Sequence, residues 1–557
     1  MDIVFSQLNY TIGDIDGNTK KILAVIESFG DKADLIVFSE LCITGYYPKD
    51  LIDRDGFVAA QDEGLNAVRK ATIGKRAGVV VGTLQRNPFS GKPFQNALEL
   101  VDGGQTVYQY HKQLLPTYGV FDEARHFEAG NQPGLFEWRG SRLGFLICED
   151  AWQTEESPLY MRDPISQMEN QALDAVISIN ASPFNIHKRA ARHDIVSSLA
   201  RRCECPVIYV NQIGGIDELV FDGGSLVSNS AGEVCLEAPL FEEASLQVSL
   251  SSLSPAELTA LSDLELITKQ LILGLKDYCG KTGFTKVILG CSGGIDSAVC
   301  TAVAALAMGR ENVTAVTMPS QYSSSGSVDD SQTLCDALGV TLIRASIKDT
   351  FTTELSAYAS AFGNEPSPLA QENLQARIRG QRLMTLSNST GAMLLSCGNR
   401  TETAVGYFTL YGDSAGGLSV IGDLFKTQVY ALARHLNENV FGSETVPLSI
   451  IDKEPSAELA PDQRDSDALP PYDQLDAYLQ LLLEGNLLDE KEISSLQEQA
   501  SPLSSADRRK VLSLLDKTEY KRRQSAPIIR VSRRAFGADR RIPLSFAFRP
   551  FELSGTN

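Results

Sequence analysis

The residues best equipped for chemistry lie in Lys286-Val-Ile-Leu-Gly-Cys-Ser-Gly-Gly-Ile-Asp-Ser-Ala298, where an apolar run passes through a glycine-rich turn. The pattern predicts a buried strand, a tight turn and a helix. In that arrangement the turn's backbone N–H groups and the helix's positive end converge on one point, where an anion is held without a cationic side chain. No Gly-Lys-Ser/Thr ending follows, so the loop is not of the Walker type. Three other apolar runs lead to reactive side chains: Phe38-Ser-Glu40, Tyr110-His-Lys-Gln-Leu-Leu-Pro116 and Phe145-Leu-Ile-Cys-Glu-Asp150. Taken singly, each is equally an edge charge, a solvated lysine or a small core residue.

The elements that must position these groups are strands. Ile3-Val-Phe, Leu35-Ile-Val-Phe, Val79-Val-Val, Leu143-Gly-Phe-Leu-Ile, Ala175-Val-Ile-Ser-Ile and Val207-Ile-Tyr-Val read as buried strands of a layered α/β domain. The polar, turn-rich Ser251-Ser-Leu-Ser-Pro255 sits in a boundary zone near 245–262. This gives a first domain over 1–250, a linker over 251–265 and a second domain over 266–557. Val287-Ile-Leu, Val313-Thr-Ala-Val, Val340-Thr-Leu-Ile and Ala392-Met-Leu-Leu predict a doubly wound parallel sheet with ligands at its carboxyl edge. Residues 454–474 are rich in proline and acid, which predicts an ordered loop or lid. Amphipathic helices are expected from Asp476 to Leu515, and a basic tail from Lys517 to Arg541.

Composition narrows the partners. A chain of 557 residues exceeds one ordinary core. A net charge of -20 opposes encounter with nucleic acid or an anionic membrane. The N-terminal residues lack the cationic and apolar regions of a signal peptide, and no apolar run approaches membrane-spanning length. Ten cysteines in that context read as reduced thiols of a cytoplasmic protein. Cys203-Glu-Cys205 is too closely spaced for a usual zinc knuckle, and five histidines supply metal clusters poorly.

Two resemblances join these features to chemistry. Ser292-Gly-Gly-Ile-Asp-Ser297 resembles the PP-loop of ATP pyrophosphatases, which cleave ATP between its α- and β-phosphates and grip the departing pyrophosphate. That implies adenylation and a Rossmann-like sheet of the adenine nucleotide alpha hydrolase type. Glu40, Lys112 and Cys148, in this order, resemble the catalytic set of the nitrilase superfamily, whose domain is an αββα sandwich. The resemblance makes Cys148 the nucleophile, Glu40 its base and Lys112 the cation facing the tetrahedral oxyanion, with Glu123 orienting the lysine. The segments Lys112–Glu123 and Asn180-Ala-Ser-Pro-Phe184, with Lys188, are similar to glutaminase domains attached to NAD synthetases. Tyr118, Ser182 and Lys188 would then hold the polar backbone end of glutamine.

Further segments resemble glutamine-dependent NAD synthetase: Met318-Pro-Ser-Gln-Tyr-Ser-Ser324, Glu372–Arg377, Ser396–Glu402, Gly406–Asp413, Gly422–Lys426, Pro455–Leu459 and Glu519–Arg522. The implied reaction converts deamido-NAD to NAD through an acyl adenylate, with ammonia from L-glutamine. By this resemblance Gly290, Cys291, Ser292, Gly293, Gly294, Ile295, Asp296 and Ser297 bind ATP together with Cys397, Lys426 and Ser456. Asn373, Glu402 and Lys521 would contact deamido-NAD, and Asp296 and Glu402 would serve Mg2+. Cys397 departs from the family, which places threonine or serine there; a thiol is the weaker hydrogen-bond partner. The basic tail would neutralise the nucleotides or pair with an acidic neighbouring subunit, and the family implies a homo-oligomer with an internal ammonia tunnel. Two alternatives are another glutamine-fed PP-loop ligase, of the GMP or asparagine synthetase type, and a nitrilase-like amidase with a regulatory nucleotide-binding domain.

Overall fold

The computed structural model describes residues 1–153, 159–461 and 463–547. The chain divides into two compact units, Met1–Leu261 and Ser262–Asn557. Unit 1 contains β1 (Asp2–Gln7), α1 (Ile15–Phe29), β2 (Leu35–Val37), α2 (Phe57–Ala71), β3 (Gly78–Arg86), β4 (Phe94–Asp102), β5 (Gln105–His111), β6 (Leu135–Trp138), β7 (Ser141–Ile147), β8 (Ala175–Ile179), α3 (Lys188–Cys203), β9 (Val207–Val210), β10 (Ile213–Ile216), β11 (Leu219–Asp222), β12 (Leu226–Ser228), β13 (Val234–Glu237) and β14 (Ala244–Ser249). One six-stranded sheet runs β14-β1-β2-β3-β4-β5 and the other β13-β12-β9-β8-β7-β6, while β10 and β11 pair separately.

The period of two along each strand sorts its side chains between two cores. Ile3, Phe5, Leu35, Val37 and Leu98 of the first sheet share one buried cluster with Phe145, Ile147, Ile177 and Ile179 of the second. The alternate residues Val4, Ile36, Val79 and Val81 pack beneath α1 and α2. Leu146, Val176, Val207 and Tyr209 do the same beneath α3. The result is the αββα sandwich. Continuous apolar runs such as Phe145-Leu-Ile147 are needed because both faces of these strands are covered, each fully buried branched side chain contributing roughly 1.5–3 kcal/mol.

Unit 2 contains α4 (Asp263–Thr282), β15 (Val287–Gly290), α5 (Ile295–Met308), β16 (Val313–Thr317), α6 (Ser325–Leu338), β17 (Thr341–Arg344), α7 (Lys348–Phe362), α8 (Pro368–Thr390), β18 (Met393–Ser396), α9 (Arg400–Val405), β19 (Leu418–Ser419), α10 (Lys426–His435), α11 (Leu448–Asp452), α12 (Tyr472–Glu484), α13 (Glu490–Gln499), α14 (Ser505–Lys517) and α15 (Glu519–Arg522). Ser262 caps α4: its hydroxyl accepts from the Glu265 N–H, and Glu265 accepts in return from the Ser262 N–H at 2.7 Å. The sheet is wholly parallel, in the order β17-β16-β15-β18-β19. Strand order reverses between β15 and β18, so their carboxyl ends open a crevice at the topological switch point.

The segment expected as a lid connects α11 to α12, with a short helical turn at Asp465–Asp467. It is shorter than expected because α12 already begins at Tyr472, behind Pro471; residue 462 lies outside the described residues. The basic tail departs from expectation. Its arginines are largely committed within unit 2: Arg522, Arg523 and Arg540 to Glu519, Arg530 to Asp539 and Arg533 to Glu492. Glu519 is nearly buried and needs such counter-charge. No helix among the described residues is long and apolar enough to cross a membrane.

Candidate active sites

The first site gathers at strand ends of unit 1. Glu40 follows β2, Lys112 follows β5, and Cys148 follows β7 and opens a short helical turn, Cys148–Ala151. All three are buried. The Lys112 ammonium donates to Glu40 Oε1 at 2.8 Å and to Glu123 Oε1 at 2.7 Å. Burial opposes that charge, but Glu123 and Glu40 outweigh it and hold the lysine's pKa well above its ordinary value. Burial and the competing Glu40 charge raise Glu123 to about 7, although Lys112 pulls it down. Cys148 has φ 46°, a left-handed conformation that a cysteine adopts only when its surroundings impose it. Burial first, then Glu40, pushes its thiol pKa well up, with Lys112 acting in the opposite sense.

Sequence reasoning missed several supporting groups. Asn96 Nδ2 donates to Glu40 Oε1 at 2.7 Å, and the Ala181 N–H donates to Oε2 at 2.9 Å, so both carboxylate oxygens are fixed. The Tyr46 hydroxyl donates to Glu123 Oε1 at 2.7 Å. Asp150 accepts from the backbone N–H groups of Gln113, Leu114 and Ile147 and from the Tyr110 hydroxyl, at 2.8 to 3.2 Å. One buried carboxylate therefore ties the residues that follow Lys112 to the residue that precedes Cys148. Among the residues expected to bind glutamine, Tyr118 is half-exposed and its hydroxyl donates to Glu149, as does that of Tyr160. Lys188 Nζ stands 3.3 Å from the centre of the Trp152 ring. Ser182 is buried, its N–H donating to Asn211 Oδ1 at 2.9 Å.

The second site is the crevice of unit 2, a cavity of about 330 Å³. Gly290, Cys291, Ser292, Gly294, Ile295, Asp296 and Ser297 line it, with Cys397, Glu402, Lys426 and Ser456. Gly293 completes the turn at φ +79°; a Cβ there would lie 2.2 Å from the Ser327 carbonyl oxygen, so no other residue fits without moving backbone. The loop is closed by its own hydroxyls: the Ser292 N–H donates to Ser297 Oγ at 3.2 Å, and Ser297 Oγ donates to the Gly294 carbonyl at 3.0 Å. Cys397 Sγ lies 3.9 Å from the Gly290 carbonyl oxygen.

Lys426, at the start of α10, links two acids. Its Nζ lies 2.5 Å from Asp296 Oδ2 and 3.4 Å from Glu402 Oε1. Burial and Asp296 raise Glu402 to about 8 despite the lysine. Asn399 caps α9 through the Glu402 N–H and donates to Asp296 Oδ1 at 2.9 Å; the Asn-x-x-Glu spacing of a capping box was the available signal for it. Asp476 accepts from Thr401, beside Glu402, and from Thr427, beside Lys426, and so fixes the first turns of both helices. Ser456 donates to the Gln463 carbonyl at 2.5 Å. Asn373 and Lys521 stand outside the cavity lining: Asn373 accepts from the Thr409 hydroxyl, and Lys521 donates to the carbonyls of Gly406 and Phe408, both at 2.8 Å.

Comparison with known proteins agrees with this division. Residues 5–260 match the carbon-nitrogen hydrolase family, and residues 267–525 match the NAD synthase family. The glutamine-dependent NAD(+) synthetase of Synechocystis is 41% identical, over 98% of this chain and 99% of that protein. The protein of that name from Thermotoga maritima is 37% identical, again over 98% and 99%. The structure of glutamine-dependent NAD+ synthetase from Acinetobacter baumannii, in complex with ADP, is similar with a TM-score of 0.76 and 36% identity, covering 98% of each chain. Two domain families in this order, with identity above a third along nearly the whole length, give one assignment: the chain belongs to the glutamine-dependent NAD(+) synthetase family.

Proposed function

We propose that the protein amidates deamido-NAD to NAD with ATP, taking ammonia from L-glutamine and releasing AMP, pyrophosphate and glutamate. The observation that carries this reading is the pairing, on one chain, of a buried Cys–Glu–Lys centre with a glycine-rich anion cradle faced by two acids and a lysine. In unit 1 the resting sulfur of Cys148 is protonated. Glu40 takes that proton as sulfur attacks the carboxamide carbon of glutamine. Lys112, held by Glu123, faces the oxyanion that develops; one such donor is worth on the order of 10²–10³ in rate. Glu40 then passes the proton to departing ammonia and activates the water that opens the thioester. Tyr118, Ser182 and Lys188 hold the amino-acid end of glutamine.

In unit 2 an oxygen of the nicotinate carboxylate attacks the α-phosphorus of ATP, and the bond to the α,β-bridging oxygen breaks. Residues Gly290 to Ser297 receive the pyrophosphate, with Cys397, Lys426 and Ser456 completing the ATP contacts. Ammonia then displaces AMP from the acyl adenylate. Asn373, Glu402 and Lys521 hold deamido-NAD. Asp296 and Glu402 present hard oxygen ligands beside the Lys426 ammonium, a donor set that fits Mg2+. When bound, Mg2+ would neutralise charge on the phosphates and on the leaving pyrophosphate. The enzyme works in the cytoplasm as a homo-oligomer, without nucleic-acid or membrane partners.

The test supplies ATP, deamido-NAD and glutamine together and singly, with AMP and NAD as readouts. AMP is expected only when ATP and deamido-NAD are both present, and NAD only when a nitrogen source is added. AMP formation without deamido-NAD would sink the assignment of the acid.

A further inference from the structure

Among the described residues, three cationic side chains line the cavity of unit 2: Arg379, Lys426 and Lys453. Two are committed to carboxylates, Lys426 to Asp296 and Glu402 and Lys453 to Glu458. Arg379, on α8, has no carboxylate partner among the described residues; its Nε donates to the Met318 carbonyl at 3.0 Å. A guanidinium offers five N–H donors, and those on its two terminal nitrogens are left over. Burial pushes Arg379 down to about 10, with Glu458 and Asp413 opposing only through space. An uncompensated cation in a part-buried cavity is costly unless an anion arrives.

We infer that Arg379 clamps the non-bridging oxygens of the α-phosphoryl group of ATP, the phosphate retained in AMP. This rests on the reading of the cavity as an ATP site. The pyrophosphate end is already supplied by the loop N–H groups with Ser292 and Ser297 around the start of α5, and by Lys426 at the start of α10. Arg379 stands elsewhere, against Met318 just beyond β16. One turn later on α8, Leu383 packs where a Cβ on Gly290 would come within 3.4 Å of it, with Met318 Cε at 3.8 Å. The guanidinium therefore serves the strand side of the loop, ahead of the cradle. Its planar fork matches two phosphate oxygens. Its chemical purpose is to let two anions meet: the attacking carboxylate forms its bond to phosphorus while the bridging electron pair leaves with pyrophosphate, and Arg379 offsets their repulsion without transferring a proton.

The full-length protein with Mg2+ is titrated calorimetrically with α,β-methylene-ATP and with inorganic pyrophosphate. Arg379→Gln is expected to weaken the analogue at least tenfold and leave pyrophosphate unchanged, while Arg379→Lys, which keeps charge but loses the fork, falls between. Unchanged affinity for the analogue in Arg379→Gln overturns the inference, and so does a loss shared equally by pyrophosphate. Should the glutamine variant fail to melt as a folded protein, Arg379→Lys decides: wild-type affinity for the analogue overturns the clamp, and a weakened one supports it. A wild-type protein that binds neither ligand overturns the ATP reading itself, a result distinct from a failure of Arg379 alone.

Discussion

Cys148 rests as a thiol because a thiolate there would lie in a buried pocket beside the Glu40 carboxylate, with Lys112 acting in the opposite sense. The proposed nucleophile and its proposed base are thus buried together, away from solvent. Cys148→Ala should abolish glutamine-supported NAD formation, by 10³-fold or more on the scale of nucleophile removal, and leave ammonia-supported synthesis intact; equal loss of both would contradict two separate sites. Asp296, which shares Lys426 with Glu402, is proposed to act on the other half of the reaction. Asp296→Ala should stop AMP release with either nitrogen source, measured as pyrophosphate or AMP produced, and normal ammonia-dependent turnover would remove its role.

At the scale of elements, a few buried groups hold catalytic segments in register. Asp150 joins the end of β5 to the end of β7, and burial lifts its pKa to about 6 although its hydrogen bonds and Lys112 act to lower it. A raised acid binds more protons in the folded than in the unfolded state, so its contribution to stability is largest below the unfolded pKa and falls as pH rises through the folded one. Asp150→Asn should cost on the order of 1–3 kcal/mol for each backbone N–H left unpaired. The gap in thermal midpoint between wild type and variant should narrow from pH 4 to pH 6, and a gap that widens would contradict the assignment. In unit 2 the close approach of loop and α6 leaves no room at Gly293. Gly293→Ala should depress AMP formation with either nitrogen source by more than tenfold, while alkylation of Cys148 by a glutamine-like affinity reagent proceeds as in wild type.

For the whole molecule, the two chemistries have to be joined by a molecule that water would protonate. Ammonia near neutral pH is mostly ammonium and a poor nucleophile, which is the physical reason to propose that it is used without release into bulk water. With glutamine as donor, an external enzymatic ammonia trap should leave the yield of NAD per glutamine hydrolysed nearly unchanged. With free ammonia as donor, the same trap should suppress NAD formation. A trap that abolishes both would show release into solution. The acidic surface implied by a net charge of -20 fits a protein that handles nucleotides in a local cavity and not along a basic face.

Local pattern was enough for the strands, because a side chain's face in a sheet follows from its parity along the chain, and enough for the Ser292–Ser297 turn, because glycine spacing and helix polarity act over a few residues. The residue types at Glu40, Lys112 and Cys148 were equally plain. What sequence could not supply was partnership across distance. Asn96 meets Glu40 from 56 residues away and Tyr46 meets Glu123 from 77, with nothing in either neighbourhood to mark them. The arginines of the tail read as a surface for nucleotides or another subunit, and tertiary structure pairs Arg522, Arg523, Arg530, Arg533 and Arg540 with Glu519, Asp539 and Glu492 within unit 2. Sequence by itself determined the two domain types and the chemical vocabulary of each site. Tertiary structure decided which charges are compensated and which, like Arg379, are left facing a cavity, because Coulombic pairing and desolvation depend on distance and burial that no linear spacing encodes.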